Sequence, residues 1–170
     1  ERVGIYFLET GAVARASKVV YDRAHSSIST IEPGMVNWKE VFKDAQWFHW
    51  TGITPALSQG AADACLEAIK VANEMGVTVS CDLNYRKNLW KYGKEPQEVL
   101  PPLMEQCAAF FGTDDEYEKI LGMRLPKFEA RDASYRPDTA GYERASAEVA
   151  ARFPRCRGIV FGLRSVLSAN

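Results

Sequence analysis

The stretch SQGAADACLEAIKVANEMGVTVSCDLNYR, residues 58–86, decides the fold. Across 58–75, Ala62, Cys65, Leu66, Ile69 and Ala72 recur at helical spacing on one face, and Gly76 is a natural stop. The period then changes, and VTVSCDL reads as a buried strand. A helix passed through one glycine to a buried strand is the building unit of a parallel α/β sheet. The strand runs out into Asp82, Asn84 and Arg86, three polar groups at every second position. In an open parallel sheet, ligands bind in the crevice outside the carboxyl ends of the strands. A guanidinium forks onto a carboxylate or phosphate, an Asn amide donates and accepts at once, and an Asp takes a proton or orients its neighbours. That set suits an anionic, hydroxyl-rich small molecule. The alternative is an Asp82 that caps the next turn and an Arg86 engaged in a surface salt bridge.

Outward from this unit the pattern repeats. Upstream, WFHWTG (47–52) has strand character, and Asn37 and Glu40 have the spacing of a capping box opening a short helix, NWKEVFKDA, after the Pro33-Gly34 turn. Downstream, PQEVLPPLMEQC (96–107) is helical at least in its second half, with Pro101 and Pro102 limiting its continuity. AAFFG (108–112) is a strand and DDEYEKILG (114–122) a helix closed by glycine. RLPKFEARDASYRPD reads as a long loop or insertion at about 123–137, before a helix at about 139–152 and a last strand, GIVFGL (158–163). Strands alternating with helices predict a mostly parallel sheet with helices on both faces. The β-rich runs VGIYFL (3–8) and KVVYD (18–22) stand outside that alternation and predict a small β appendage. The chain opens inside one strand pattern and closes a few residues past another, so an unpaired sheet edge and uncovered apolar surface are expected.

A chain of 170 residues with 46% hydrophobic residues is expected to form a globular core. Its net charge of −1 supplies no field for nucleic acid or an anionic membrane, and no apolar run reaches membrane-spanning length. Cys65, Cys81, Cys107 and Cys156 lie far apart with no CxxC pair, and the start lacks the order of a signal peptide. A reduced, cytoplasmic protein with buried thiols is expected. His25 and His49 have no Cys or carboxylate at ligand spacing, and no GxSxG, GxGxxG or GxxxxGK[ST] occurs.

Two further clusters carry polar chemistry. TDDE (113–116) stands between a strand and a helix, where it is an N-cap with acidic residues at the positive helix end, or a place for Glu116 to hold a magnesium-bound water near a phosphate. YDRAHSS puts Tyr21 and Arg23 on one strand face with Tyr6 on the preceding strand, a sugar-facing surface or packing on an exposed sheet.

These stretches together resemble the ribokinase-like (PfkB) family of carbohydrate kinases, above all its 2-keto-3-deoxygluconate kinase branch. The resemblance rests on GIYFLE (4–9), VVYDRAHSSIS (19–29), HWTGITPAL (49–57), DLNYRKNLW (82–90), TDDE (113–116) and GLRSVLSAN (162–170), which fall in the family's order. It implies a ribokinase-like fold in which residues 1–30 are part of a β lid and residues 31–170 the central part of the α/β core. It further implies ATP-dependent phosphoryl transfer to a primary hydroxyl of a sugar acid such as 2-keto-3-deoxygluconate, giving the 6-phosphate, with Mg2+. By the same resemblance Tyr6, Tyr21, Arg23 and Arg86 contact the sugar acid, the two arginines neutralising its carboxylate. Asn84 lies near the phosphates, Glu116 organises Mg2+ through water, and Gly162, Leu163, Arg164 and Ser165 border the nucleotide. A lid of this kind commonly pairs across a dimer, so a homodimer or higher assembly is expected.

The departures are specific. Thr113 stands where the family's NxxE motif has Asn, and Gly162 where many relatives carry Thr or Lys. The early Gly-Gly sugar motif and the late GAGD motif, with its catalytic base, do not occur in residues 1–170. This chain is therefore expected to be a central portion that contains no catalytic base and does not turn over ATP by itself. Two other functions remain open: a related kinase for a neutral sugar of the fructokinase or ribokinase type, and a non-catalytic sugar-binding module. The paired Arg23 and Arg86 argue against a neutral sugar, which gives two guanidinium groups nothing to neutralise.

Overall fold

A computed structural model describes residues 2–12, 15–127 and 135–163. In chain order it comprises β1 (Ile5–Glu9), β2 (Lys18–Asp22), α1 (Trp38–Val41), β3 (Trp47–Thr51), α2 (Gln59–Glu74), β4 (Thr78–Asp82), α3 (Pro96–Met104), β5 (Ala109–Gly112), α4 (Asp114–Leu121), α5 (Thr139–Arg152) and β6 (Gly158–Phe161), with a short 3-10 turn at Ser27–Thr30. Strands β3-β4-β5-β6 form one parallel sheet in that order, and β1 and β2 pair antiparallel in a separate two-stranded sheet.

The opening stretch folds as its periodicity requires. Ser58 Oγ accepts the Ala61 N–H (3.1 Å) to start α2, and Gly76 adopts φ +75° to leave it. The face α2 turns inward is built from Ala61, Ala64, Cys65, Ala68, Ile69 and Ala72. Small side chains there let the helix lie close on the sheet, and the fully buried Ile69 and Leu83 each contribute about 1.5–3 kcal/mol of apolar burial.

Strand alternation divides the sheet into two unlike faces. On one, Phe48, Trp50, Val79, Cys81, Phe110 and Phe161 meet the helices: Trp38 of α1 lies against Phe48, Tyr117 of α4 and Tyr142 of α5 against Phe161, and Phe153 against Phe110 at 5.2 Å. α2 packs on β3 and β4, and α3 packs between α2 and α4. The other face presents Trp47, His49, Ser80, Phe111 and Val160 and is open among the described residues, with Trp47 57% exposed. Helices were expected on both faces; among the described residues they pack on one, and on the other Trp47, Phe111 and Val160 are exposed. Ser80 is nonetheless buried there, because its Oγ accepts from Trp47 Nε1 and contacts His49 Nδ1, each at 2.7 Å.

Some boundaries shift. Asn37 does cap α1, accepting the Glu40 N–H at 3.4 Å, but the helix ends at Val41 rather than running through NWKEVFKDA. α3 is helical from Pro96, with Pro101 and Pro102 inside it. Burial of Leu100, Leu103 and Met104 offsets the two missing donors. Within the long loop, Met123 and Leu125 are buried and Pro126 O accepts from the Tyr142 hydroxyl, which ties it to α5.

Candidate active site

Strand β4 ends in a turn held from three sides. Asp82 Oδ1 accepts the Asn84 N–H (3.2 Å), a side-chain-closed turn of the kind Asp favours. Asn84 sits at φ +39°, a left-handed backbone that Asn tolerates better than most side chains. Its Nδ2 donates to Thr51 Oγ1 at the end of β3 (3.1 Å). Gly52 N–H donates to Asp82 O (2.8 Å), and glycine is required there because a Cβ would stand 2.1 Å from Leu83 O. On the third side, Leu83 N–H donates to Phe111 O of β5 (2.8 Å).

Helix α4 completes the arrangement. Glu116 Oε2 accepts the Thr113 N–H and its Oε1 the Tyr85 N–H, both at 2.9 Å, so one carboxylate caps α4 and fastens the β4 turn. Its side chain is 14% exposed, whereas Arg86, with Nη1 3.9 Å from Glu116 Oε1, is 54% exposed. Solvent screens that pair, leaving the guanidinium available to an anion. Gly162 N–H donates to Gly112 O (2.7 Å), which carries the end of β6 to the same carboxyl edge, and Leu163 beyond it is exposed. Asn84, Arg86, Glu116 and Gly162 are therefore brought together; Arg164 and Ser165 lie outside the described residues.

Tyr6, Tyr21 and Arg23 form a second group. Tyr6 and Tyr21 are register partners with rings 6.1 Å apart, and the Arg23 guanidinium lies 4.3 Å from the Tyr21 ring centroid. With Arg2, Ser27 and Ile28 they line a cavity of about 340 Å3. No hydrogen bond or ion pair among the described residues joins this group to Arg86.

Other reactive groups serve packing. Burial pushes the Cys65 thiol up to about 12 and raises Cys81 well above its ordinary value. Cys107 is lowered, chiefly by its hydrogen bond with Cys81 and also by the Trp50 indole N–H (3.3 Å). Burial likewise raises Tyr117, whose hydroxyl has no hydrogen-bond partner among the described residues. A cavity of about 830 Å3 lies at the amino ends of the strands between Trp47, Thr78, Arg155, Arg157 and Gly158. No carboxylate lines it, and the polar convergence is at the opposite edge. The sequence reading missed Thr51; a polar residue ending a strand in HWTG was its only signal.

The chain is similar to the 2-dehydro-3-deoxygluconokinase of Thermotoga maritima, at 42% identity and TM-score 0.77, over 91% of this chain and 44% of that structure. It is similar to a PfkB family carbohydrate kinase from Listeria grayi at 26% identity and TM-score 0.77, over 99% of this chain and 48% of that one. Among curated proteins, a 2-dehydro-3-deoxygalactonokinase of Haloferax volcanii is 39% identical over 89 residues, 52% of this chain and 28% of that protein. No family model matches the chain. It spans under half the length of the solved structures it matches and about a third or less of the curated relatives. The fold is ribokinase-like, and the proteins that it matches are carbohydrate kinases.

Proposed function

We propose, from a ribokinase-like fold shared with PfkB-family carbohydrate kinases over less than half their length, that these residues serve an ATP-dependent kinase for a sugar acid such as 2-keto-3-deoxygluconate, giving its 6-phosphate. The observation that carries this reading is the meeting of Asn84, Arg86 and Glu116 around one turn at the strand carboxyl ends. Arg86 is exposed beside a carboxylate that it does not tightly engage, which suits it to a ligand carboxylate. Arg23, stacked on Tyr21 in the hairpin cavity, would supply the second positive charge, with Tyr6 and Tyr21 offering hydroxyls to the sugar.

Asn84, Glu116, Gly162 and Leu163 would face the phosphates and nucleotide. Mg2+ would neutralise the phosphate oxygens during transfer. Both Glu116 oxygens already accept a backbone N–H, which fits a carboxylate that reaches a cation through water rather than by direct ligation. The catalytic base would not come from residues 1–170, which lack a GAGD sequence, and the chain alone would not turn over ATP. The hairpin β1-β2 would act as a lid that excludes water and pairs with a second copy.

Calorimetry with 2-keto-3-deoxygluconate and with fructose tests the substrate class. Binding of the sugar acid, lost in Arg86→Ala, is expected; binding of fructose alone would remove the sugar-acid reading in favour of a neutral-sugar kinase. Sugar-dependent ADP release from the 170-residue chain would overturn the absence of the base.

A further inference from the structure

We infer that Thr51 is a positioning residue for the turn carrying Arg86, because its hydroxyl holds Asn84 in the left-handed backbone that the turn requires. The argument starts with strain: a non-glycine residue at φ +39° persists only where its surroundings enforce it. Two hydrogen bonds from Asn84 do so, one closed on Asp82 within the same strand end and one crossing to Thr51 Oγ1. Thr51 and Asp82 are register partners on adjacent parallel strands, so the crossing bond joins the ends of β3 and β4. Thr51 Oγ1 also accepts the Ile53 N–H (3.4 Å), which fixes the hydroxyl at the start of the following turn.

One residue further on, the turn is fastened from the other side by Glu116 to the Tyr85 N–H. Residues 83–86 are thus anchored to β5 at Leu83, to α4 at Tyr85 and to β3 at Asn84, and among the described residues the Thr51 hydroxyl is the one hydrogen-bond partner they have on the β3 side. Releasing it lets Asn84 relax toward ordinary backbone angles, and Tyr85 and Arg86 move with it. This inference rests on the sugar-acid reading only for its binding consequence; the conformational consequence stands alone.

The test compares the wild-type chain with Thr51→Val, which keeps the β-branched shape but loses the hydroxyl, and with Thr51→Ser, which restores it. Amide exchange at Tyr85 is expected to quicken about fivefold in Thr51→Val, the loss of one ordinary hydrogen bond, and to recover in Thr51→Ser. Calorimetry with 2-keto-3-deoxygluconate is expected to weaken about fivefold and recover in the same order, with the melting transition of the core little changed. Asn84→Gly, which adopts positive φ freely, should make exchange at Tyr85 insensitive to Thr51→Val. Unchanged exchange in Thr51→Val, or exchange not rescued by serine, overturns the inference. If the wild-type chain binds no sugar acid but the exchange pattern holds, the functional reading fails and the positioning role stands.

Discussion

Both oxygens of Glu116 are committed to backbone N–H groups, one at the head of its own helix and one in the turn after β4. Glu116→Ala therefore removes a helix cap and leaves the half-buried Tyr85 amide without its acceptor. A loss of about 1–3 kcal/mol in unfolding free energy is expected by urea titration, with Glu116→Gln losing less because its amide oxygen still accepts one bond. Arg86→Ala should behave in the opposite way. Its side chain is 54% exposed, so stability should change by no more than ~0.5 kcal/mol. If Arg86 meets the carboxylate of the proposed sugar-acid substrate, loss of that charge-assisted bond should weaken sugar-acid binding about tenfold or more by calorimetry. Of the two readings offered for DLNYR, the local one is visible directly: Asp82 closes the next turn and Arg86 stands beside a carboxylate, and neither contact prevents the exposed guanidinium from meeting a ligand. What could not be read from the residues was Thr51, since its contact with Asn84 depends on which strands pair and in what register.

At the scale of the element, α2 was legible from its apolar period and the Gly76 stop, and α4 from the Thr113 cap and Gly122; the Ser58 and Asp138 caps of α2 and α5 emerge only in the fold. α3 was harder, for its two interior prolines argue locally against a helix that tertiary burial supports. The start of α3 shows how it is held. Glu98 accepts the Glu95 N–H at 2.8 Å, and this bond, followed by Lys94, keeps its carboxyl below the usual value of 4.5. A depressed folded value means the contribution is complete above about pH 4.5 and is lost as pH falls through the lower folded value. The group is exposed, so the effect is local fraying of the first turn rather than global unfolding. The Glu95 amide resonance should titrate with a midpoint below 4.5, and Glu98→Gln should abolish that titration; a midpoint at or above 4.5 would show that the carboxylate does not cap the helix.

For the molecule as a whole, the alternation of helix, glycine and strand was enough to set out the parallel sheet, while the identity of its open face depended on register. The hairpin β1-β2 poses a similar question of faces. Register sets Tyr6 opposite Tyr21 and Leu8 opposite Val19 on one side, and Ile5 opposite Asp22 and Phe7 opposite Val20 on the other. Phe7 is 60% exposed and Val20 48%, and a two-stranded sheet has little stability in water unless one side is covered. If the Tyr6–Tyr21 side serves the sugar acid, the Phe7–Val20 side is the one left for a second copy in the proposed lid-to-lid assembly. Sedimentation velocity should then show self-association that Phe7→Lys abolishes, while sugar-acid affinity changes less than about twofold, since Tyr6, Tyr21 and Arg23 remain in place. Phe111→Lys provides the discriminating control because Phe111 lies on the open face of the parallel sheet. Association that survives Phe7→Lys but not Phe111→Lys would move the contact from the lid to the sheet and remove the lid-paired dimer.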